Sequence, residues 1–383
     1  MNKNWFYLLL LIPLTISAQN AVHHFGGMRI HENATVGFHT DLVNDGSFDQ
    51  NRGLVGFYSS SGLRNLSGTF TPKFEDVEFA TDGGFNLEIP LLVDNNANFI
   101  SGNIITDKAF PTIYLGFTTD GFYVGQGANT KVYGYSAVTA QSDFTFPVGL
   151  EGRLRPLMLN SSDLNVLAKC AYFFENPNSP STSPVAFDTD SKEGDIVRIS
   201  DVEYWKLEGS LPSNITIGWD AFSQIGLLAS DINDLVVVGW DRDAQQWVNL
   251  GNIQADGDLT TGAITSQNFV PNEYTALSFG SLSNVISESD LANYILSPNG
   301  DGINDFLEIA ATEDSPNNLL SIYNRHGGLV FQQEDYSDEF VGKANQGIVY
   351  DKGSGLPSGV YFYVIELKDT GIKHQGYLHL TSQ

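Results

Sequence analysis

The sequence predicts an all-β protein in three parts: an N-terminal β-solenoid-like region, a middle β-sandwich and a small C-terminal sandwich. Three observations carry this reading. Gly (38), Phe (25) and Tyr (16) are abundant among the 383 residues, and long Ala/Glu/Lys/Leu runs are absent. That composition favours strands and turns over helices. Short apolar stretches alternate with polar residues at a period of two, and Asn, Asp, Gly and Pro punctuate them. The length suffices for two or three domains with cores of their own.

Acidic residues number 45 against 19 basic ones, a net charge of −26. Such a surface repels phosphate backbones, which excludes nucleic acid as a partner. It suits a soluble protein outside the cell, and acidic loops can also hold divalent cations. The single cysteine, Cys170, sits in the apolar run Ala168 to Phe174 and cannot form an internal disulfide. No charged helper lies beside it in sequence, so it reads as an inert core thiol.

Residues 1–18 read as a signal peptide. Lys3 supplies the positive start, Trp5 to Ile12 the apolar run, and Ser17-Ala18 a small-residue cleavage site. The apolar run is too short for a permanent membrane span. No cysteine follows the cleavage site, which argues against a lipid anchor.

Residues 19–145 are strand after short strand. Val36, Phe38 and Thr40 alternate with Gly37 and His39; Phe85, Leu87 and Ile89 alternate with Asn86 and Glu88. Turn formers separate the pieces at Asn44-Asp45-Gly46, Asp82-Gly83-Gly84, Asp94-Asn95-Asn96 and Ser101-Gly102-Asn103. The phrases Leu66-Ser67-Gly68-Thr69-Phe70 and Phe99-Ile100-Ser101-Gly102-Asn103-Ile104 resemble rungs of a coil of strands. Stacked rungs bury each other's apolar faces. The repeat is irregular, so a sandwich or Greek key is the alternative.

Residues 146–284 form the middle region, joined through Phe144-Thr145-Phe146-Pro147-Val148-Gly149. A Pro/Ser/Asn loop covers Asn176 to Pro184 and has no capacity for a core. Strands are expected over 196–199, 203–207, 215–219, 235–240 and 246–250. Asp241 to Gln245 should close a hairpin that sets Trp247 across from Val236, Val238 and Trp240. An antiparallel sandwich accommodates this pattern. Ser281 to Asn293 is polar and reads as a linker.

Residues 285–383 form the last part. Strands are expected over 319–324, 329–333, 360–368 and 376–380. Arg325-His326-Gly327-Gly328 supplies a tight turn between the first two, with glycine where positive φ is needed. Val360 to Leu367 is apolar on both faces at its start, which places it inside a small sandwich.

Here the residues carry a resemblance. SPNGDGINDF at Ser297 to Phe306, IYNRHGGLVF at Ile322 to Phe331, LPSGVYFYVIEL at Leu356 to Leu367 and GYLHL at Gly376 to Leu380 follow one another in order. Together they resemble the gliding-motility-associated C-terminal domain, the type B sorting signal of the type IX secretion system. The matching positions are Ser297, Pro298, Asn299, Gly300, Asp301, Gly302, Asn304, Asp305, Tyr323, Asn324, Arg325, Gly327, Pro357, Gly359, Tyr361 and Tyr363. The resemblance implies an immunoglobulin-like sandwich and export across both membranes. Its implied partners are the type IX machinery and an outer-membrane protein, and its implied destination is the cell surface, outer membrane or exterior. His326 and Phe340-Val341-Gly342 depart from the family, which usually has an aromatic residue and a tryptophan–x–glycine there. FPVG at 146–149, Arg153, Arg155, Pro156 and the EYWKL of 203–207 also look like segments that often precede such domains.

Four groups of residues could carry chemistry. Asn299, Asp301, Asn304 and Asp305 surround Gly302 with oxygens, like half of a calcium loop. They lack the distal glutamate of a complete loop, and an Asx-rich turn capping backbone amides explains them better. His23, His24, His31 and His39, with Glu32 and Asp41, could ligate zinc or copper, but exposed strand histidines explain them better. Asp188, Asp190, Glu193 and Asp195 could serve glycoside hydrolysis, or form a solvated acidic segment. Trp205, Trp219, Trp240 and Trp247 could line a sugar surface, or fill the core.

No serine elbow, P-loop or dinucleotide fingerprint occurs. The expected function is therefore non-enzymatic: an adhesin-like protein presenting a binding face to a glycan or protein. It needs no cofactor, with calcium as the exception named. A secreted polysaccharide-acting hydrolase and a structural part of the gliding machinery are the rival classes.

Overall fold

The computed structural model describes residues 21–282, 293–309, 311–346, 355–368 and 372–381. The expected signal peptide, most of the expected linker and the boundary at 284/285 lie outside the described residues. Strands dominate, and helix is limited to short turns among the described residues. The chain divides into two compact units. One takes in the chain up to Ser223 together with Val236–Gly280; the other takes in Gln224–Leu235 and the chain from Ser281 onward.

The first half of the first unit is solenoid-like, and the reason lies in the spacing of its apolar residues. Ala21–His24, Asp41–Asn44, Arg64–Gly68, Phe85–Leu87, Ile104–Thr106 and Val132–Tyr133 pair in that order into a parallel six-stranded sheet. Thr35–Phe38, Leu54–Ser59, Lys73–Thr81, Leu91–Ser101, Leu115–Phe117 and Ser136–Val138 pair in parallel in a second sheet. The chain alternates between the two sheets, so each circuit lies on the one before it.

Parallel stacking puts equivalent residues in columns. Phe38 pairs with Phe57, Phe57 with Phe79, and Phe79 with Phe99. Their ring centroids are 5.4, 5.9 and 6.0 Å apart, and Tyr123 extends the column at 5.8 Å from Phe99. On the other sheet Leu42, Leu66 and Leu87 form a matching column. These side chains are all buried except Tyr123, which is half-buried. Each ring thus removes apolar area from water and also gains from the neighbouring rings.

Polar clips hold the rungs at their corners. The buried Asn51 accepts from the Ile30 amide at 2.9 Å and donates to Phe48 O at 3.0 Å and Lys73 O at 2.9 Å. It therefore joins three successive circuits. Asn44, fully buried, donates to Phe70 O at 2.7 Å and pairs with the His24 ring at 2.6 Å. Glycine is required at two corners. A Cβ on Gly102 (φ +77°) would lie 1.8 Å from Thr81 O, and one on Gly68 (φ +119°) 2.3 Å from Asn44 O. The two phrases expected to be rungs both lie in the coil, each at a glycine corner: Leu66 lies in the six-stranded sheet, and the second phrase crosses from Phe99 in the other sheet to Ile104 in the six-stranded one.

The second sheet continues past the solenoid. Ser136–Val138 pairs antiparallel with Ala168–Phe173, which pairs with Tyr204–Glu208. The order then runs through Tyr274–Ser281, Leu235–Asp241 and Trp247–Asn249; Phe122–Val124 and Arg198–Ile199 pair off this path and bring the sheet to thirteen strands. One sheet therefore spans the predicted join at 145/146. A separate five-stranded antiparallel sheet runs Asp143–Phe146, Leu157–Ser161, Ser213–Trp219, Gly262–Thr265, Gln254–Gly257. Phe279 of the large sheet meets Trp219 of the small one edge-to-face at 6.0 Å. The predicted hairpin forms as expected: Trp240 pairs with Trp247, ring centroids 5.7 Å apart.

The column of rings makes a stability prediction. Phe57→Ala removes a ring that is 1% exposed and touches Phe38, Phe79 and Phe85. It should destabilise the first unit by about 3–5 kcal/mol in urea titration, the range of buried Phe truncations. Phe25→Ala, at a ring 71% exposed, should change stability by less than about 0.5 kcal/mol.

Candidate functional site

The second unit is built on one five-stranded sheet in the order Tyr294–Leu296, Ile372–Leu380, Gly359–Leu367, Asn318–Tyr323, Leu329–Glu334. The first pair is parallel and the others antiparallel. Leu296, Leu320, Ile322, Tyr363, Ile365 and Leu378 fill its core. Phe340 joins them, its ring 4.8 Å from Phe331, so this departure from the family keeps a buried aromatic.

The strand over 360–368, expected inside a small sandwich because both faces are apolar at its start, is covered on one face only. Tyr361, Tyr363, Ile365 and Leu367 are buried, but Val360 is 44% and Phe362 51% exposed. Phe362 pairs with Tyr377, itself 49% exposed, and Val360 with His379, which pairs with Ile295, 65% exposed. The pattern is simple alternation, one face in and one out.

The first turn, Ser297 to Asp305, is held by its own carboxylates. Asp305 accepts from the amides of Asn299 at 2.9 Å, Gly300 at 2.7 Å and Gly302 at 2.8 Å. Asp301 accepts from the Ile303 amide at 2.8 Å and from the Asn299 side chain at 2.9 Å. Asn299 in turn accepts from the Asp301 amide at 2.9 Å. The Asn304 carbonyl accepts from the Ser297 amide at 2.8 Å, with Asn304 itself left-handed at φ +52°. The four oxygen-bearing residues expected around Gly302 are therefore together, and their oxygens face amide hydrogens. The Gly300 and Gly302 amides hold the Asp305 carboxyl below the usual aspartate range.

The other motif positions also shape turns. Asn324 Oδ1 accepts from the His326 and Gly328 amides, each at 2.9 Å, and its carbonyl accepts from Gly327, left-handed at φ +77°. Tyr361 donates to Pro357 O at 2.8 Å, pinning the turn before Gly359. Tyr363 lies buried against Tyr294, centroids 5.5 Å apart. Sequence reasoning missed two residues here. Asn318, fully buried, exchanges hydrogen bonds with the Tyr336 backbone and donates to Ser315 O at 2.9 Å. Tyr336 donates to Leu307 O and accepts from the Phe340 amide at 3.3 Å. An Asn opening an apolar strand was the available signal for the first; nothing local marks the second.

Several of the remaining candidates make contacts within the fold. His23 bonds Asp45 at 2.6 Å, His24 is buried on Asn44, and His39 lies 5.4 Å from the Tyr58 ring. No group of three His, Cys, Asp or Glu able to hold a metal occurs among the described residues. Glu193 accepts from the Asn249 amide and Asp195 from the Asn249 side chain, each at 2.9 Å, so they tie the acidic segment to the hairpin. Trp205, Trp219, Trp240 and Trp247 are all buried. Three use their indole N–H inside: Trp205 to Arg155 O, Trp219 to Asp258 O and Trp247 to Phe187 O. Cys170 is fully buried, which pushes its thiol well up and leaves it inert.

The two remaining sequence segments of the first unit meet in a buried ion pair. Arg155 and Glu203, both within a few per cent of complete burial, pair at 2.5 Å. Tyr172 donates to the second Glu203 oxygen, and Arg155 donates to Ser223 Oγ at 2.9 Å. Burial disfavours the Arg155 charge, but Glu203, Tyr172 and Asp220 outweigh it and raise its pKa. Arg153 makes a two-point bond to Asp220 at 2.7 and 3.2 Å, its guanidinium 4.7 Å from both the Phe174 and Phe222 rings.

The Asp305 cap carries a signed pH prediction. Its folded pKa lies below the unfolded value, so its stabilisation is complete above the ordinary aspartate range. It is lost as pH falls through the folded pKa. Amide protection factors at Gly300 and Gly302 should fall across that acidic window. In Asp305→Ala they should be low throughout, with no acid step.

In comparison with known families, residues 289–380 match the CHU_C type IX secretion signal domain. Comparison with curated proteins and with solved structures found no match. The C-terminal region of this chain is thus a type IX secretion signal domain, which marks the protein for export to the cell surface or extracellular space.

Proposed function

We propose that this is an exported, non-enzymatic, adhesin-like protein whose first unit presents a binding face at the cell surface. One observation carries the reading: an export domain at 289–380 shares a chain with a stack of parallel rungs. In-register rungs give a rigid, periodic surface, and solenoids use such surfaces to bind. The ligand would be a glycan or a protein, and the partner anchoring or passing the chain an outer-membrane protein linked to the gliding or surface machinery. The proposed divisions are 1–18, 19–145, 146–284 and 285–383. In this reading the middle region is a sandwich and the last an immunoglobulin-like one.

In the sorting domain we assign recognition to the shaped turns at Ser297 to Asp305, Tyr323 to Gly327 and Pro357 to Gly359. The apolar outer face of Ile295, Val360, Phe362 and Tyr377 would lie against the secretion machinery. Its exposure in cross-strand register supports this, because isolated apolar patches of this kind are interaction surfaces. Deleting residues 296–383 should hold the protein in the periplasm of a host with type IX secretion. Undiminished surface display after the deletion would refute the assignment.

For the first turn we favour a self-capped Asx turn over a calcium loop at Asn299, Asp301, Asn304 and Asp305. The support is that its carboxylates already accept from backbone amides. Calorimetric titration of the full chain with calcium should give no saturable heat attributable to this turn. A stoichiometric heat abolished by Asp301→Asn would establish the calcium loop instead.

A further inference from the structure

A groove of about 550 Å³ lies on the first unit, where the solenoid meets the five-stranded sheet. One wall is the short strand Phe122–Val124, which pairs on one side with Leu91–Ser101. The floor is the outer face of three neighbouring strands of the small sheet. Their register sets Asp143, Asn160 and Asn214 in one row, and Thr145, Met158 and Thr216 in the next. Strands stand about 4.8 Å apart, so each row spans about 10 Å. The inward residues on the same strands, Phe144, Leu159 and Ile215, are buried and fix the outward ones in place.

Two hydrogen bonds tie wall to floor. Tyr123 donates to Thr145 O at 2.6 Å, and Gln141 donates to Gly121 O at 2.8 Å. The groove is therefore held open by the fold and needs no rearrangement to receive a ligand.

Its chemistry is specific in kind. Phe122 is 47% and Met158 51% exposed, so the groove offers one aromatic ring and one thioether to an apolar surface. Asn214 and Gln126 line it, and neither side-chain amide has a hydrogen-bond partner among the described residues. Thr216 and Thr265 share a hydrogen bond at 2.8 Å, which leaves further hydroxyl capacity. No lysine or arginine lines the groove. Its one carboxylate, Asp143, is held by the Asn160 amide and by Ser142 Oγ at 2.8 Å.

A chain with net charge −26 and a groove without a cation repels phosphate, sulfate and uronate groups. A groove with its only carboxylate occupied does not select a cation. An exposed ring beside amides and hydroxyls in rows matches a ligand with apolar C–H faces and hydroxyl edges. We infer that this groove is a binding site for a neutral polysaccharide, with Phe122 as the stacking platform and Asn214, Gln126 and Asn160 as hydroxyl partners. This rests on the binding-protein reading above and names the site and the ligand class.

The test uses the full chain in native affinity gels containing laminarin, xyloglucan or glucomannan, with alginate as the acidic comparison. At least one neutral polysaccharide should retard the wild type, and alginate should not. Phe122→Ala and Asn214→Ala should each weaken retardation about tenfold, the scale of one lost stacking or hydrogen-bonding contact. Phe25→Ala should not. Both groove side chains are outward-facing, so unchanged thermal melting would separate lost binding from lost fold. Retention of binding in both groove variants would overturn the site while leaving the binding-protein reading intact. Retardation by alginate alone would overturn the ligand class. Absence of retardation in every gel would overturn the proposal, and adhesion of cells displaying the chain to protein-coated surfaces would then decide the broader reading.

Discussion

In-register parallel stacking is the constraint on which the first unit depends. Side chains alternate between core and solvent along every strand, so a slip of one residue would turn the Phe38–Phe57–Phe79–Phe99 column outward. The column resists such a slip because each ring is packed by rings above and below. Asn51 and Asn44 add direction at the corners, where a displaced rung would bury unpaired amides. Apolar burial supplies the larger share of the stabilisation, and the buried asparagines specify the register.

A parallel stack leaves an open edge at its last rung, and open edges invite uncontrolled pairing. Here Ser136–Val138 is covered by Ala168–Phe173, and the same sheet passes into the middle region. Just before the strand Tyr204–Glu208 of that sheet, Glu203 pairs with Arg155. Burying this pair is tolerable because Tyr172, Ser223 and the Tyr172 and Trp205 ring faces replace much of the lost water. The second unit solves a different problem. Its turns are fixed locally by Asp305, Asp301 and Asn324, whose side chains satisfy nearby amides. A domain read for export benefits from turns whose shape is set by the residues within them.

Much of this was legible in the residues. The all-β class, the hairpin with Trp240 opposite Trp247 and the Asx-capped first turn each follow from local rules of alternation and turn chemistry. The ordered C-terminal segments identified the sorting domain because their spacing encodes a whole topology. The solenoid was legible as a coil, because its corner glycines recur, as at Gly68 and Gly102; which of the two sheets each strand joins was not, because the corners of both sheets use glycine. The exposure of Phe362 and Val360 is not legible in the sequence, because an apolar residue states a preference for burial, while the neighbouring layer decides whether burial happens.

The sequence by itself determined the strands, the corners and the address, since these depend on interactions within a few residues or on an ordered set of motifs. Only the tertiary structure decided which strands stack and that one sheet joins the solenoid to the middle region. It also decided that Arg155 meets Glu203 and that Phe122 faces the Asp143–Asn160–Asn214 row. Those contacts join residues tens of positions apart. Their free energy comes from burial and register, which no local stretch of sequence records.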